Sequence, residues 1–176
     1  MRTITFISSV FLVFCFSLVA AQQKQLIINQ IRKEYNAINK DKAMKAVVLN
    51  NEDFLHHMSD GGGKLTGFYR KGEVKKIVCW IGLSFGTENF EYYFQNNKLI
   101  FVYEQFETFL LDKKTQKLRY DATEKTFEGR YYFHANLLIK KFIKGQKIGE
   151  VENVNDEKSL QKKAAELRRI LMKDTD

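Results

Sequence analysis

From Leu65 to Ile143 the chain runs in short stretches where aromatic and β-branched residues dominate, interrupted at close intervals by Gly, Asn and Lys. A period of two with turn residues between the runs predicts β-strands joined by hairpins. Strands are expected near 65–70, 73–82, 87–95, 98–110, 117–121, 126–134 and 137–144. Every connection is short enough for antiparallel neighbours, so the sheet reads as a meander. Upstream the period changes. Within 24–40, Ile27, Ile31, Tyr35 and Ile38 return at helical spacing, and Leu26 and Ile28 widen the stripe. Downstream, Leu160, Ala164, Leu167 and Leu171 form one apolar stripe, with Lys158, Lys162, Arg169 and Lys173 opposite. Asn155 or Asp156 is placed to cap that helix. Residues 42–58 fit helix or strand; a short helix followed by a turn is expected, stopped by Asp60-Gly61-Gly62-Gly63. The fold class is α+β: an antiparallel β-meander of six or seven strands, flanked by an N-terminal helical segment and a C-terminal amphipathic helix on the sheet.

One nine-residue phrase recurs. Tyr92-Tyr93-Phe94-Gln95-Asn96-Asn97-Lys98-Leu99-Ile100 returns 39 positions later as Tyr131-Tyr132-Phe133-His134-Ala135-Asn136-Leu137-Leu138-Ile139. Gly67-Phe68-Tyr69-Arg70-Lys71-Gly72-Glu73-Val74-Lys75 is a weaker copy. Each is aromatic, then a two-residue turn, then aliphatic, which specifies a hairpin. With Asn96-Asn97 as the loop, Gln95 faces Lys98 and Phe94 faces Leu99. Strict alternation then pairs Tyr92 with Phe101 and Phe90 with Tyr103. One face would carry Phe90, Tyr92, Phe94, Leu99, Phe101 and Tyr103, and four such rings, fully buried, contribute on the order of 6–12 kcal/mol before entropy. In the later copy Tyr131, Phe133, Leu138 and Phe142 take that core face. Tyr93 and Tyr132 point to the other, mixed face.

The Tyr-Tyr-Phe-x-x-Asn-x-Leu-Ile phrase resembles repeats of uncharacterised exported bacterial proteins and is distantly similar to variant MORN repeats. The likeness covers residues 67–144. It implies hairpins, an envelope or secreted setting and interaction roles, and it transfers no catalytic residue. Variant MORN arrays repeat at about half this spacing and carry more glycine, so one closed domain is expected instead of a regular array.

The N-terminus changes the setting. Arg2 precedes a nearly unbroken apolar run from Ile4 to Val19, and Val19-Ala20-Ala21 supplies small residues at a cleavage site. Residues 1–21 read as a signal peptide cut after Ala21, leaving residues 22–176 as one domain with no membrane span. Lipidation at Cys15 is disfavoured because Phe14 precedes it. The mature chain keeps Cys79 alone, so no internal disulfide forms; its length suffices for a core without one. Only Arg2 is lost with the leader, which takes the net charge from +8 to +7. An exported basic protein meets anionic lipid, acidic glycans or acidic proteins more readily than nucleic acid. The absence of proline points to turns made by Gly and Asn.

Candidate chemistry is sparse. Gly61-Gly62-Gly63-Lys64 lacks the Ser or Thr and the following helix of a phosphate loop. His56, His57 and Asp60 form the one compact His/Asp cluster, and a hydrolase or metal-dependent enzyme built on them is the enzymatic alternative. Adjacent histidines diverge on regular elements, so a non-enzymatic protein without cofactor or metal is favoured. Tyr93, Arg130, Tyr132 and Lys141, rings and cations on the mixed face, are the expected binding residues. The expected partner is an unknown protein, a glycan or an anionic lipid surface.

Overall fold

The computed structural model describes residues 4–55, 59–147 and 157–173, with side chains from residue 22 onward. Among these residues a single antiparallel sheet has seven strands in chain order, β1 to β7. They are β1 Lys45–Asn50, β2 Gly63–Arg70, β3 Glu73–Leu83, β4 Gly86–Gln95, β5 Lys98–Leu111, β6 Leu118–His134 and β7 Leu137–Gly145. Helix α1 (Ile4–Lys40) packs on one face, and helix α3 (Glu157–Lys173) on the other; α2 is one turn, Asn51–Phe54. This is the α+β meander expected from the pattern.

Two local expectations change. Residues 45–50 are a strand before a helical turn, because Leu49 buries while Val48 points out, the alternation of a sheet edge. Residues 117–121 and 126–134 belong to one long strand. Its polar middle, Asp121 to Lys125, has little burial of its own and continues because β5 offers a partner ladder alongside. A tight loop closes this hairpin, with Asp112 Oδ1 accepting from the backbone N–H groups of Lys114 and Thr115 at 2.8 and 2.9 Å.

The three copies of the repeat form three hairpins. Their turns are Lys71-Gly72, Asn96-Asn97 and Ala135-Asn136, all with positive φ, as a type I′ turn requires. Gln95↔Lys98 and Phe94↔Leu99 pair as expected. Beyond them each hairpin carries the same irregularity. Tyr93 faces Phe101, Tyr132 faces Lys140 and Phe68 faces Lys76, so Ile100, Ile139 and Lys75 are inserted extra residues. A β-bulge adds one residue to one strand and reverses the facing of all that follows. Tyr92 therefore pairs with Val102, and Phe90 with Glu104, not with Phe101 and Tyr103. The run Leu99-Ile100-Phe101-Val102, apolar throughout, hides the break from any alternation argument.

The consequence is two cores. Tyr92, Phe94, Val102, Tyr131 and Phe133 pack with Leu65, Ile77 and Cys79 under Leu160, Ala164, Leu167 and Leu171 of α3. Tyr93, Ile100, Phe101 and Tyr132 pack under Ile28, Ile31 and Ile38 of α1. Burial pushes the Cys79 thiol up to about 12, as suits an inert core residue. The mixed face of the sequence reading is thus a second core wherever α1 crosses it.

Helix α3 runs along the row of turns. Gln161 Nε2 donates to the Asn136 carbonyl at 2.7 Å, and Arg168 donates to the Asn97 carbonyl and Oδ1 at 3.0 and 2.6 Å. Seven helical residues rise about 10.5 Å. Successive hairpins in a meander lie about 9.6 Å apart, two strand spacings. The seven residues from Gln161 to Arg168 therefore span from the β6–β7 turn to the β4–β5 turn. Nearer its C-terminus, the Leu171 carbonyl accepts from Tyr69 Oη at 3.1 Å on β2.

Candidate functional site

Helix α1 crosses the sheet near the turns, and the strands run on beyond it. Two cross-strand rows on that face meet the helix and its edge. The first, Phe68, Lys76, Tyr93, Phe101, Tyr132 and Lys140, passes under the helix. The next, Thr66, Val78, Glu91, Tyr103, Arg130 and Phe142, emerges from its edge. At that boundary lies a cleft of about 350 Å³. The helix lends it Ile31, Arg32, Tyr35 and Asn36. Strand β5 adds Phe101 and Tyr103, and β6 adds Arg130 and Tyr132.

Aromatic packing fixes the walls. Tyr35 lies 4.8 Å from Tyr93 and 5.3 Å from Phe101, and Phe101 lies 4.9 Å from Tyr132, centroid to centroid. Such tilted and edge contacts hold rings in one orientation. Arg32 sits 5.9 Å from the Tyr132 ring centroid, and Arg130 5.7 Å from that of Tyr103. Arg130 also pairs with Glu128 at 2.6 Å, and Glu128 accepts from Tyr103 Oη at 3.1 Å. Burial, reinforced by Glu91, raises the Tyr35 phenol above its usual range, so it stays a neutral donor at physiological pH.

The sequence-predicted binding residues separate. Arg130 and Tyr132 line the cleft. Tyr93 is fully buried behind Tyr35; its hydroxyl bonds Glu91 and sits 3.1 Å from Asn39 Oδ1. Burial first, then Glu91, drives its pKa well up. Lys141 pairs with Tyr131, on the opposite side of the sheet from Tyr132, because the Ile139 bulge reverses β7; Lys140 takes the place opposite Tyr132. Tyr35 reads as core in the helix stripe until the edge of the helix is known, and Arg32 and Asn36 carry no signal of their own in the sequence. His56 and His57 lie outside the described residues, and Asp60 is exposed in a turn. Among the described residues no cluster of His, Cys, Asp and Glu could hold a metal ion. The glycine run makes backbone pairs with β3: Gly61 N–H to the Gly82 carbonyl at 3.0 Å, and Gly82 N–H to the Gly62 carbonyl at 2.9 Å. A Cβ on Gly61 or Gly82 would lie 2.8 Å or less from the other's backbone, so these glycines serve close approach.

A second polar cluster is buried on the α3 side. Lys147 Nζ reaches Glu88 Oε1 at 2.5 Å and also Glu104, whose Oε2 accepts from Tyr131 Oη at 2.8 Å. The Lys147 side chain is 2 % exposed and that of Glu104 0 %. Phe90 and Phe127 flank the ammonium at 5.5 and 5.4 Å. Gly129 faces Glu104 across the ladder and leaves the slot in which the Tyr131 ring lies; a Cβ there would be 2.7 Å from Tyr131 Oη. Burial raises the Glu88 carboxyl, only partly offset by Lys147. Burial alone would lower Lys147, but the two carboxylates reverse the sign and raise it. Closed to solvent, this cluster ties the end of β7 to β4, β5 and β6.

Comparison with protein-family models, curated proteins and solved structures returned no match.

Proposed function

We propose that this chain is a non-enzymatic, exported binding protein whose ligand seat is the cleft between α1 and strands β5 and β6. The observation that carries this reading is the cleft: about 350 Å³, with ring walls and a few convergent polar groups from Arg32, Asn36, Tyr103 and Arg130. That volume and mixture suit a small ligand. Export rests on the apolar N-terminal run and the Val19-Ala20-Ala21 site; cleavage there leaves α1 as residues 22–40, which still hold Ile28, Ile31 and Ile38. A small-fragment screen followed by amide NMR on the mature chain tests the seat. Shifts should concentrate at residues 31–36, 101–103 and 130–132. Shifts clustered elsewhere would sink the reading.

The outer face of α3 favours a second reading. Lys158, Lys162, Arg169 and Lys173 are exposed along it with no acid among them. Such a row would recruit the protein to anionic lipid or an acidic glycan. Co-sedimentation with phosphatidylglycerol vesicles should then fall steeply between low and physiological salt. Salt-independent association, or none, removes this reading.

A further inference from the structure

Resting on the cleft as the ligand seat, we propose that it takes a small organic anion with a flat or apolar body. The carboxylate, phosphate or sulfonate end lies between Arg32 and Arg130, and the body lies against Tyr35, Phe101 and Tyr132.

The charge of the walls comes first. Two guanidinium groups line the cleft and no acid does. Glu128, beside it, is shared by Arg130 at 2.6 Å, Lys125 at 3.7 Å and the Tyr103 hydroxyl at 3.1 Å. Glu91, across the ladder from Tyr103, is taken by Lys76 at 3.0 Å and by Tyr93. Arg32, Arg130, Lys125 and Lys76 thus stand against Glu128 and Glu91, an excess of two cations, and Arg32 has no ion-pair partner among the described residues.

Geometry comes next. Both guanidinium groups rest near tyrosine rings, which orients planar forks without consuming their donors. Glu128 meets Arg130 through Nη2 and leaves further N–H groups for a ligand. Planar forks match the two oxygens of a carboxylate or the face of a phosphate, and such charge-assisted bonds are the strong ones. A neutral ligand filling the same space would desolvate Arg32 without replacing its hydration, at a cost in affinity. The ring walls supply stacking area for the rest of the molecule. A cleft near the small end of ligand-site volumes limits that body to one or two rings or a short chain.

The test uses the mature chain with 1-naphthoate and its neutral counterpart 1-naphthamide, followed by calorimetry. Naphthoate should bind saturably, and naphthamide about tenfold more weakly or worse. Arg32→Gln and Arg130→Gln should each weaken naphthoate about tenfold, with Arg130→Lys in between because charge survives and the fork does not. Asn36→Trp, at an exposed helix position on the mouth, should abolish both ligands. Far-ultraviolet circular dichroism confirms that each variant is folded. Equal affinity for acid and amide, or naphthoate binding untouched by both arginine variants, overturns the anion inference; the cleft still stands if Asn36→Trp blocks binding. Binding indifferent to Asn36→Trp places the ligand elsewhere and removes the reading beneath. No saturable naphthoate binding up to millimolar concentration also overturns the anion inference. Inorganic phosphate should compete with naphthoate; displacement by phosphatidylglycerol vesicles alone would overturn the free-anion form and assign the site to a lipid headgroup.

Discussion

At the scale of single residues, the three turns show how much a positive φ constrains a position. Gly72 and Asn97 suit it, as does Asn136, but Ala135 holds φ 49 with a Cβ and no side-chain acceptor to compensate. Ala135→Gly is therefore expected to stabilise the protein by about 1 kcal/mol, the gain from relieving a left-handed alanine less the entropy of a freer unfolded chain. Urea denaturation checks it, and an unchanged or lower midpoint would contradict the strain argument. Gly129 makes the converse point. Its missing side chain is the space through which Tyr131 reaches Glu104. Nothing in the sequence around Gly129 distinguishes that use from an ordinary strand glycine. Tyr93 and Tyr132 stand in equivalent places in the repeat, yet Tyr132 borders a cleft and Tyr93 does not. What differs is their distance along the helix that covers them.

Among elements, the bulged hairpin is the informative unit. Each copy ends in the inserted residue, Lys75, Ile100 or Ile139, and the insertion lets adjacent Ile100 and Phe101 both pack under α1. Deleting Ile100 should restore strict pairing, with Tyr93 still opposite Phe101 and Tyr92 opposite Val102, and should remove the buried Ile100 side chain from the core under α1. Losing a buried isoleucine leaves a cavity there, so a loss of about 2–5 kcal/mol is expected. Thermal unfolding of the deletion variant against the wild type measures it, and a near-normal midpoint would show that the bulge is dispensable. Helix α3 meets two of the turns from the other side, at Gln161 and Arg168, and the rise between those residues matches the spacing of neighbouring hairpins.

For the whole molecule, the buried Glu88–Lys147–Glu104 cluster joins elements far apart in the chain. Lys147→Met leaves two buried carboxylates without their cation and should cost about 3–5 kcal/mol in denaturant unfolding. The pH dependence has a definite sign. Glu88 has a folded-state pKa above its unfolded value, so the folded protein binds that proton more readily. Its contribution improves as pH falls through the raised pKa toward the ordinary carboxylate range, and is flat below. Wild type should therefore gain stability relative to Glu88→Gln between pH 7.5 and pH 5, and a difference constant across that window would refute the assignment. Much of this architecture was legible beforehand. Hydrophobic periods of two and of about four located the strands after residue 63 and the α3 stripe, and the turn residues marked the two-residue loops, because burial and backbone sterics act on neighbours close in sequence. The α+β class followed from their order. The facing of residues past each turn was not legible, because a bulge adds a residue without altering an all-apolar run. The cleft was half legible: Arg130 and Tyr132 stood out as a ring and a cation on one strand, while Arg32, Tyr35 and Asn36 joined them only through the path of α1. Lys147 looked like one surface lysine among many. By itself the sequence determined local conformation and which stripes must be covered. Only the tertiary structure decided which face each aromatic residue takes and where helix and sheet part, because those depend on contacts between segments tens of residues apart.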